Sequence, residues 1–70
     1  MSIKIQVNGK DEEIPEKMCL LEFLNKKKIK QDIVVVELND QIIEKEQYSQ
    51  TFLNQGDIVE LVFYMGGGYL

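Results

Sequence analysis

Few residues in this chain have types and spacing that could carry chemistry. Its aliphatic hydroxyls are Ser2, Ser49 and Thr51, its one thiol is Cys19, and it contains no His, Arg, Trp or Ala. Nucleophilic catalysis needs a base beside the nucleophile, and the usual base is missing. A lone thiolate without His cannot supply a zinc ligand set. It cannot close an intrachain disulfide either, so nothing points to an oxidising compartment. What the inventory does offer is the run Gly66-Gly67-Gly68-Tyr69-Leu70. A phosphate-cradling loop would need a helix N-terminus after the glycines, and no residues remain to form one. Glycine loses the most entropy on ordering, so the run is expected to be extended and mobile. One reading is a tail without a role. The other is a tail that enters a narrow cleft in another protein, where backbone passes without a Cβ and the terminal carboxylate stays open to attack.

Charge narrows the partners. Eight Lys face 12 Asp and Glu, for a net charge of −4, opposite in sign to the footprint a nucleic-acid binder uses to displace counterions. Lys26, Lys27, Lys28 and Lys30 form the basic cluster. It reads as a solvated helix end where cations complement the dipole, with partner docking as the alternative. No apolar run approaches the ~20 residues of a membrane span, and the N-terminus is unlike a signal peptide. A cytoplasmic protein without nucleic-acid or membrane partners is expected.

The elements that must position the tail follow from hydrophobic periodicity. The chain's 70 residues make one domain, which should bury about 60% of the surface its unfolded form exposes. Ile3, Ile5 and Val7 alternate with Lys4 and Gln6 as a half-buried strand. Asn8-Gly9 is a two-residue hairpin signal, because both centres of a type I′ turn need positive φ. The return strand, residues 10–14, is acidic and reads as an edge ended by Pro15. Leu20, Phe23 and Leu24 share one face of a helix over about residues 20–28, with Leu21 at the margin. Cys19 then falls at the N-cap, where a thiol is a poor acceptor. It reads as a partly buried structural thiol, the alternative being a thiol activated by the helix N-terminus.

Residues 33–38 are β-branched and too short for a helix, so they form a strand. Asn39-Asp40 turns the chain into a short strand over residues 41–44. Residues 45–54 are expected to be irregular with a short helical turn, anchored by Tyr48, Phe52 and Leu53. Residues 58–65 form the last strand. Alternation places Val59, Leu61, Phe63 and Met65 under the helix, and Ile58, Glu60, Val62 and Tyr64 outside. Likewise Val34, Val36 and Leu38 point in, while Val35 and Glu37 point out. If these two strands are neighbours, Val35, Val62 and Tyr64 make an apolar patch, either scattered surface residues or a partner site.

The order β-β-α-β-β-β and several segments resemble the sulfur carrier family of thiamine biosynthesis, ThiS. The segments are Val7-Asn8-Gly9, Cys19-Leu20-Leu21-Glu22-Phe23-Leu24 and Val35-Val36-Glu37-Leu38-Asn39, then Ile43, Thr51, Leu53, Gly56-Asp57, Ile58 and Glu60 ahead of Gly66-Gly67-Gly68. The resemblance implies an α+β, ubiquitin-like β-grasp fold with a mixed sheet packed on one helix, a domain over residues 1–65 and a tail over 66–70. It implies a carrier that is not itself an enzyme and binds no cofactor. A ThiF-type, E1-like enzyme would use ATP to adenylate the terminal glycine carboxylate, which becomes a thiocarboxylate, and a ThiG-type thiazole synthase would receive the sulfur. On this likeness Gly67 and Gly68 are the carrier tail, and Val35, Val62, Tyr64 and Gly66 meet the partners. Tyr69 and Leu70 depart from the family pattern, so a trimming protease is expected to expose Gly68. Carriage for molybdopterin or another sulfur metabolite, and a β-grasp module that only binds partners, remain as alternatives.

Overall fold

The computed structural model describes residues 1–63; Tyr64, Met65, Gly66, Gly67, Gly68, Tyr69 and Leu70, and the expectations placed on them, lie outside the described residues. Within them, β1 (Ser2–Val7) and β2 (Lys10–Pro15) form a hairpin, followed by α1 (Leu20–Lys26), β3 (Val34–Leu38), β4 (Gln41–Ile43) and β5 (Ile58–Phe63). One mixed sheet runs in the order β2-β1-β5-β3-β4, with β1 and β5 parallel and the other neighbours antiparallel. The acidic β2 is an edge strand, as its composition implied.

Both tight turns carry the backbone that their sequences demand. Asn8 and Gly9 have φ of 49° and 86°, and Asn39 and Asp40 have 52° and 70°, so each pair is left-handed at both central positions. That is the turn whose twist matches a two-residue hairpin. The turns therefore fix register, pairing Val7 with Lys10 and Leu38 with Gln41.

A seven-residue helix is far too short to persist alone. Here α1 survives by burying Leu20, Phe23 and Leu24 against Ile5, Ile14, Val34, Val36, Val59 and Leu61 of the sheet. Its start is tied to a later segment: Leu20 N–H donates to Thr51 O at 2.8 Å and Leu53 N–H to Met18 O at 2.9 Å. Its end falls two residues before the expected boundary. Lys28 adopts φ 61°, its N–H donates to Asn25 O at 3.0 Å, and Ile29 N–H donates to Leu24 O at 2.9 Å. This is a Schellman ending with lysine where glycine is usual, so no glycine in the sequence announces it.

Two phenylalanines depart from expectation, the anchor Phe52 and the strand residue Phe63. Tyr48 and Leu53 are buried, but Phe52 is 52% exposed. Successive residues of an extended segment point opposite ways, so with Leu53 inside and Phe52 bridging to Cys19, Phe52 faces out. Phe63 has inward parity on β5 yet is 42% exposed. Alternation sets the side of the sheet, not how far a helix about 10 Å long covers it.

Candidate functional site

The sheet face turned away from α1 is where the expected partner site falls. Val35 and Val62 are direct cross-strand partners on β3 and β5, so the structure brings them together as the alternation required. Val62 is 53% exposed and Val35 half-buried. Tyr64 and Gly66 of the same expected site, and Gly67 and Gly68 of the carrier tail, lie outside the described residues. The described part of β5 ends at Phe63, one residue past Val62.

Register adds Ile42, which the sequence did not single out, and brings in Ile58, which alternation had already placed outside. Ile42 stands across from Glu37, and Ile58 across from Gln6, at 62% and 46% exposure. Both belong to the outer face by parity, and the Asn39-Asp40 turn alone would have placed Ile42 there. Glu37 and Glu60 are also direct cross-strand partners, so two acidic residues stand among the apolar ones on this face.

Two asparagines hold β5 from opposite sides. Asn39 N–H donates to Ile58 O at 2.8 Å, and Asn39 Oδ1 accepts from Ile58 N–H at 2.9 Å. Asn8 Oδ1 accepts from Leu61 N–H at 2.7 Å, and Asn8 Nδ2 donates to Leu61 O at 3.3 Å. Asp57 joins the first clamp, accepting from Asn39 Nδ2 at 3.1 Å and from Asn54 N–H at 2.8 Å. The strand that leads toward the glycine run is thus gripped by main chain and side chain together.

The remaining chemistry-bearing groups serve the fold. Ser2 Oγ donates to Glu13 Oε2 at 3.3 Å and Thr51 Oγ1 donates to Gln47 O at 2.8 Å. Cys19 is 6% exposed, more deeply buried than the partial burial expected for it. Its N–H donates to Glu22 Oε1 at 3.1 Å and its sulfur sits at the Glu22 amide, a capping box with a thiol in the hydroxyl's place. In the basic cluster, Lys27 pairs with Glu12 at 2.9 Å and lies 5.5 Å from the centre of the Phe23 ring. Among the described residues no group of His, Cys, Asp and Glu is placed to hold a metal ion. No helix among them is long and apolar enough to cross a membrane.

A mixed sheet over one helix, with an apolar outer face on the strand that leads to a glycine run, defines a ubiquitin-like β-grasp domain of the carrier type. The chain belongs to the ThiS family, whose model matches residues 5–68. It is 35% identical over 65 residues to the sulfur carrier protein ThiS of Bacillus subtilis, covering 91% of this chain and 98% of that protein. The crystal structure of the thiamine biosynthesis protein ThiS from Geobacter metallireducens superposes with a TM-score of 0.81 at 36% identity, over 94% of this chain and all of that one. A thiazole synthase of Paramagnetospirillum magneticum is 32% identical over 66 residues, which are 94% of this chain but 20% of the synthase. These likenesses are to a sulfur carrier rather than to an enzyme, save for that synthase, which contains a carrier-like segment.

Proposed function

We propose that this chain carries sulfur on the carboxylate of Gly68 and delivers it to a thiazole synthase. The observation that supports this most directly is the family match, which runs through the three glycines and ends at residue 68. Tyr69 and Leu70 lie beyond it, and their removal gives Gly68 the free carboxylate.

A carboxylate is a poor electrophile. A ThiF-type activating enzyme supplies ATP, the Gly68 oxygen attacks the α-phosphorus, and pyrophosphate leaves. Sulfur at the level of hydrosulfide (HS⁻) then adds to the acyl carbon and expels AMP, leaving a thiocarboxylate. The carrier needs no base, metal or nucleophile for either step, because the mixed anhydride brings its own leaving group. Its own contribution is shape. Residues 64–68 reach at most about 18 Å beyond Phe63 when fully extended, and glycines at 66–68 present no Cβ to the walls of a partner's channel. Val35, Val62, Tyr64 and Gly66 are the surface that meets the partner beside that channel. The synthase relative with a carrier-like segment in its own chain supports a thiazole synthase as the receiver.

The test is the intact mass of the protein recovered from its native cells. The expected species lacks one tyrosyl and one leucyl residue, and a fraction of it carries sulfur in place of one oxygen. A chain that keeps Tyr69 and Leu70 while it transfers sulfur would overturn trimming. A chain ending at Gly68 that gains neither AMP nor sulfur from the cells' activating enzyme would overturn the carrier assignment.

A further inference from the structure

The end of β5 nearest the glycine run is held on one side by a side chain rather than by a strand. On the β3 side, pairing continues as far as Phe63, opposite Val34. On the β1 side it stops at Val59, opposite Val7. The chain then turns back through Asn8 and Gly9, with Asn8 N–H donating to Val59 O at 2.9 Å. Among the described residues, Leu61 has no residue of β1 paired with it. Asn8 fills that place: its Oδ1 accepts from Leu61 N–H at 2.7 Å and its Nδ2 donates to Leu61 O at 3.3 Å, both bonds being part-buried. One side-chain amide serves Leu61 as the main chain of a neighbouring strand would.

We infer that Asn8 is a positioning residue for sulfur loading: through Leu61 it sets where β5 delivers Gly66, Gly67 and Gly68 to the activating enzyme. The carrier reading is the one proposed above; the clamp rests on the two bonds to Leu61. Any residue left free at the strand end must be fixed again before the Gly68 carboxylate meets the α-phosphorus, and that ordering counts against the rate. The effect belongs to the reaction and not to docking, because Val62 stays paired with Val35 on β3 whatever stands at position 8. Asn39 supplies the comparison. It has nearly the same left-handed φ, 52° against 49°. Its side chain also makes two bonds, accepting from Ile58 N–H at 2.9 Å and donating to Asp57 Oδ1 at 3.1 Å. Those bonds hold the first residue of β5, about 10 Å of strand further from the glycines than Leu61. Glycine at either position keeps the turn and removes two side-chain bonds, but only Asn8→Gly frees the end that leads to the run.

For the test, wild type, Asn8→Gly, Asn39→Gly and Asn8→Asp are produced in the native cells, so that their C-termini are processed alike. Single-turnover release of pyrophosphate with ATP and the cells' activating enzyme is followed over a range of carrier concentration. This separates the maximal rate from the half-saturating concentration. The temperature is one at which melting curves show all four proteins folded, so lost stability alone leaves the rate unchanged. Asn8→Gly should lower the maximal rate by about fivefold or more, with the half-saturating concentration within about twofold of wild type. Asn39→Gly should retain a maximal rate about threefold or more above that of Asn8→Gly. Asn8→Asp, which keeps the acceptor for Leu61 N–H, should recover part of the rate. Wild-type rate in Asn8→Gly, equal losses at the two asparagines, or a loss confined to the half-saturating concentration overturns the inference while the carrier assignment stands. Release of pyrophosphate by none of the four, wild type included, overturns the carrier assignment and this inference with it.

Discussion

Replacing Asn8 should loosen the launching end of β5 without touching the core. The parallel pairing of β1 with β5 spans only Gln6 with Ile58 and Val7 with Val59. Beyond it, the Asn8 side chain acts as one more peptide group, accepting from Leu61 N–H at 2.7 Å and donating to Leu61 O at 3.3 Å. Each such bond contributes about 0.5–1.5 kcal/mol net, so Asn8→Gly, which keeps the left-handed turn, should cost about 1–3 kcal/mol. Asn8→Ala loses the same bonds and adds the left-handed strain of a Cβ residue, about 1 kcal/mol more. In a domain of this size, 1 kcal/mol moves the melting midpoint by about 4–8 °C, so the alanine variant should melt on the order of 10–30 °C lower. Asn8→Asp keeps the acceptor and turns a carboxylate toward Leu61 O, and should fall between wild type and alanine. Urea denaturation gives the energies, and amide hydrogen exchange at Leu61 tests the mechanism. A glycine variant as stable as wild type, or unchanged protection at Leu61, would refute the clamp.

The other expectations concern the helix and the surface. Lys28→Gly should stabilise by about 0.5–1 kcal/mol in thermal melts, because it relieves a left-handed lysine at the Schellman position; a loss of stability would show that the lysine side chain matters more than its backbone. Cys19→Ser exchanges a poor cap acceptor for a good one but buries a hydroxyl, two effects of about 1 kcal/mol and opposite sign. Its stability should stay within about 1 kcal/mol of wild type, with sulfur transfer intact, and abolished transfer would reveal a reactive thiol. Lys45 Nζ donates to Asp32 Oδ1 at 2.6 Å, and this hydrogen bond, then the charge attraction, holds the Asp32 carboxyl below its usual 3.8 and the Lys45 ammonium above its usual 10.5. The pair's contribution is therefore present across mid-range pH. It is lost as pH falls through the lowered Asp32 value, and again as pH rises through the raised Lys45 value. Carbon-detected titration should place the Asp32 midpoint below 3.8 and return it toward that value in Lys45→Gln; no movement would refute the coupling.

Local rules made most of the fold legible. Asn8-Gly9 declared its turn through the need for positive φ, Asn39-Asp40 declared a turn by residue type, and Leu20, Phe23 and Leu24 declared the buried face of α1. Alternation assigned both faces of β3 and β5 and so foresaw the Val35/Val62 contact, conditional on those strands being neighbours. What failed were properties that no window of sequence contains. The helix stop at Lys26 lacks its usual glycine, and the exposure of Phe63 depends on where α1 ends over the sheet. The Asn8–Leu61 clamp joins residues 53 positions apart, and the Glu37/Glu60 pairing requires a register across two strands far apart in sequence. Asn8 was legible as a turn former, but its second role, as a substitute strand residue, was not.

That second role bears on how so small a chain can serve as a carrier. A glycine run can be presented to a partner reproducibly only if the strand that leads to it is fixed. β5 is central in the sheet, yet its parallel partner leaves after two paired residues, just where the strand must be held. Asn39 at Ile58 and Asn8 at Leu61 extend the grip on either side without adding a strand. They leave the outer face of Val62 and Glu60 uncovered, the face on which we propose that a partner docks. Two left-handed asparagines meet both needs, and so the residues read first as hairpin punctuation bear on the carrier's function.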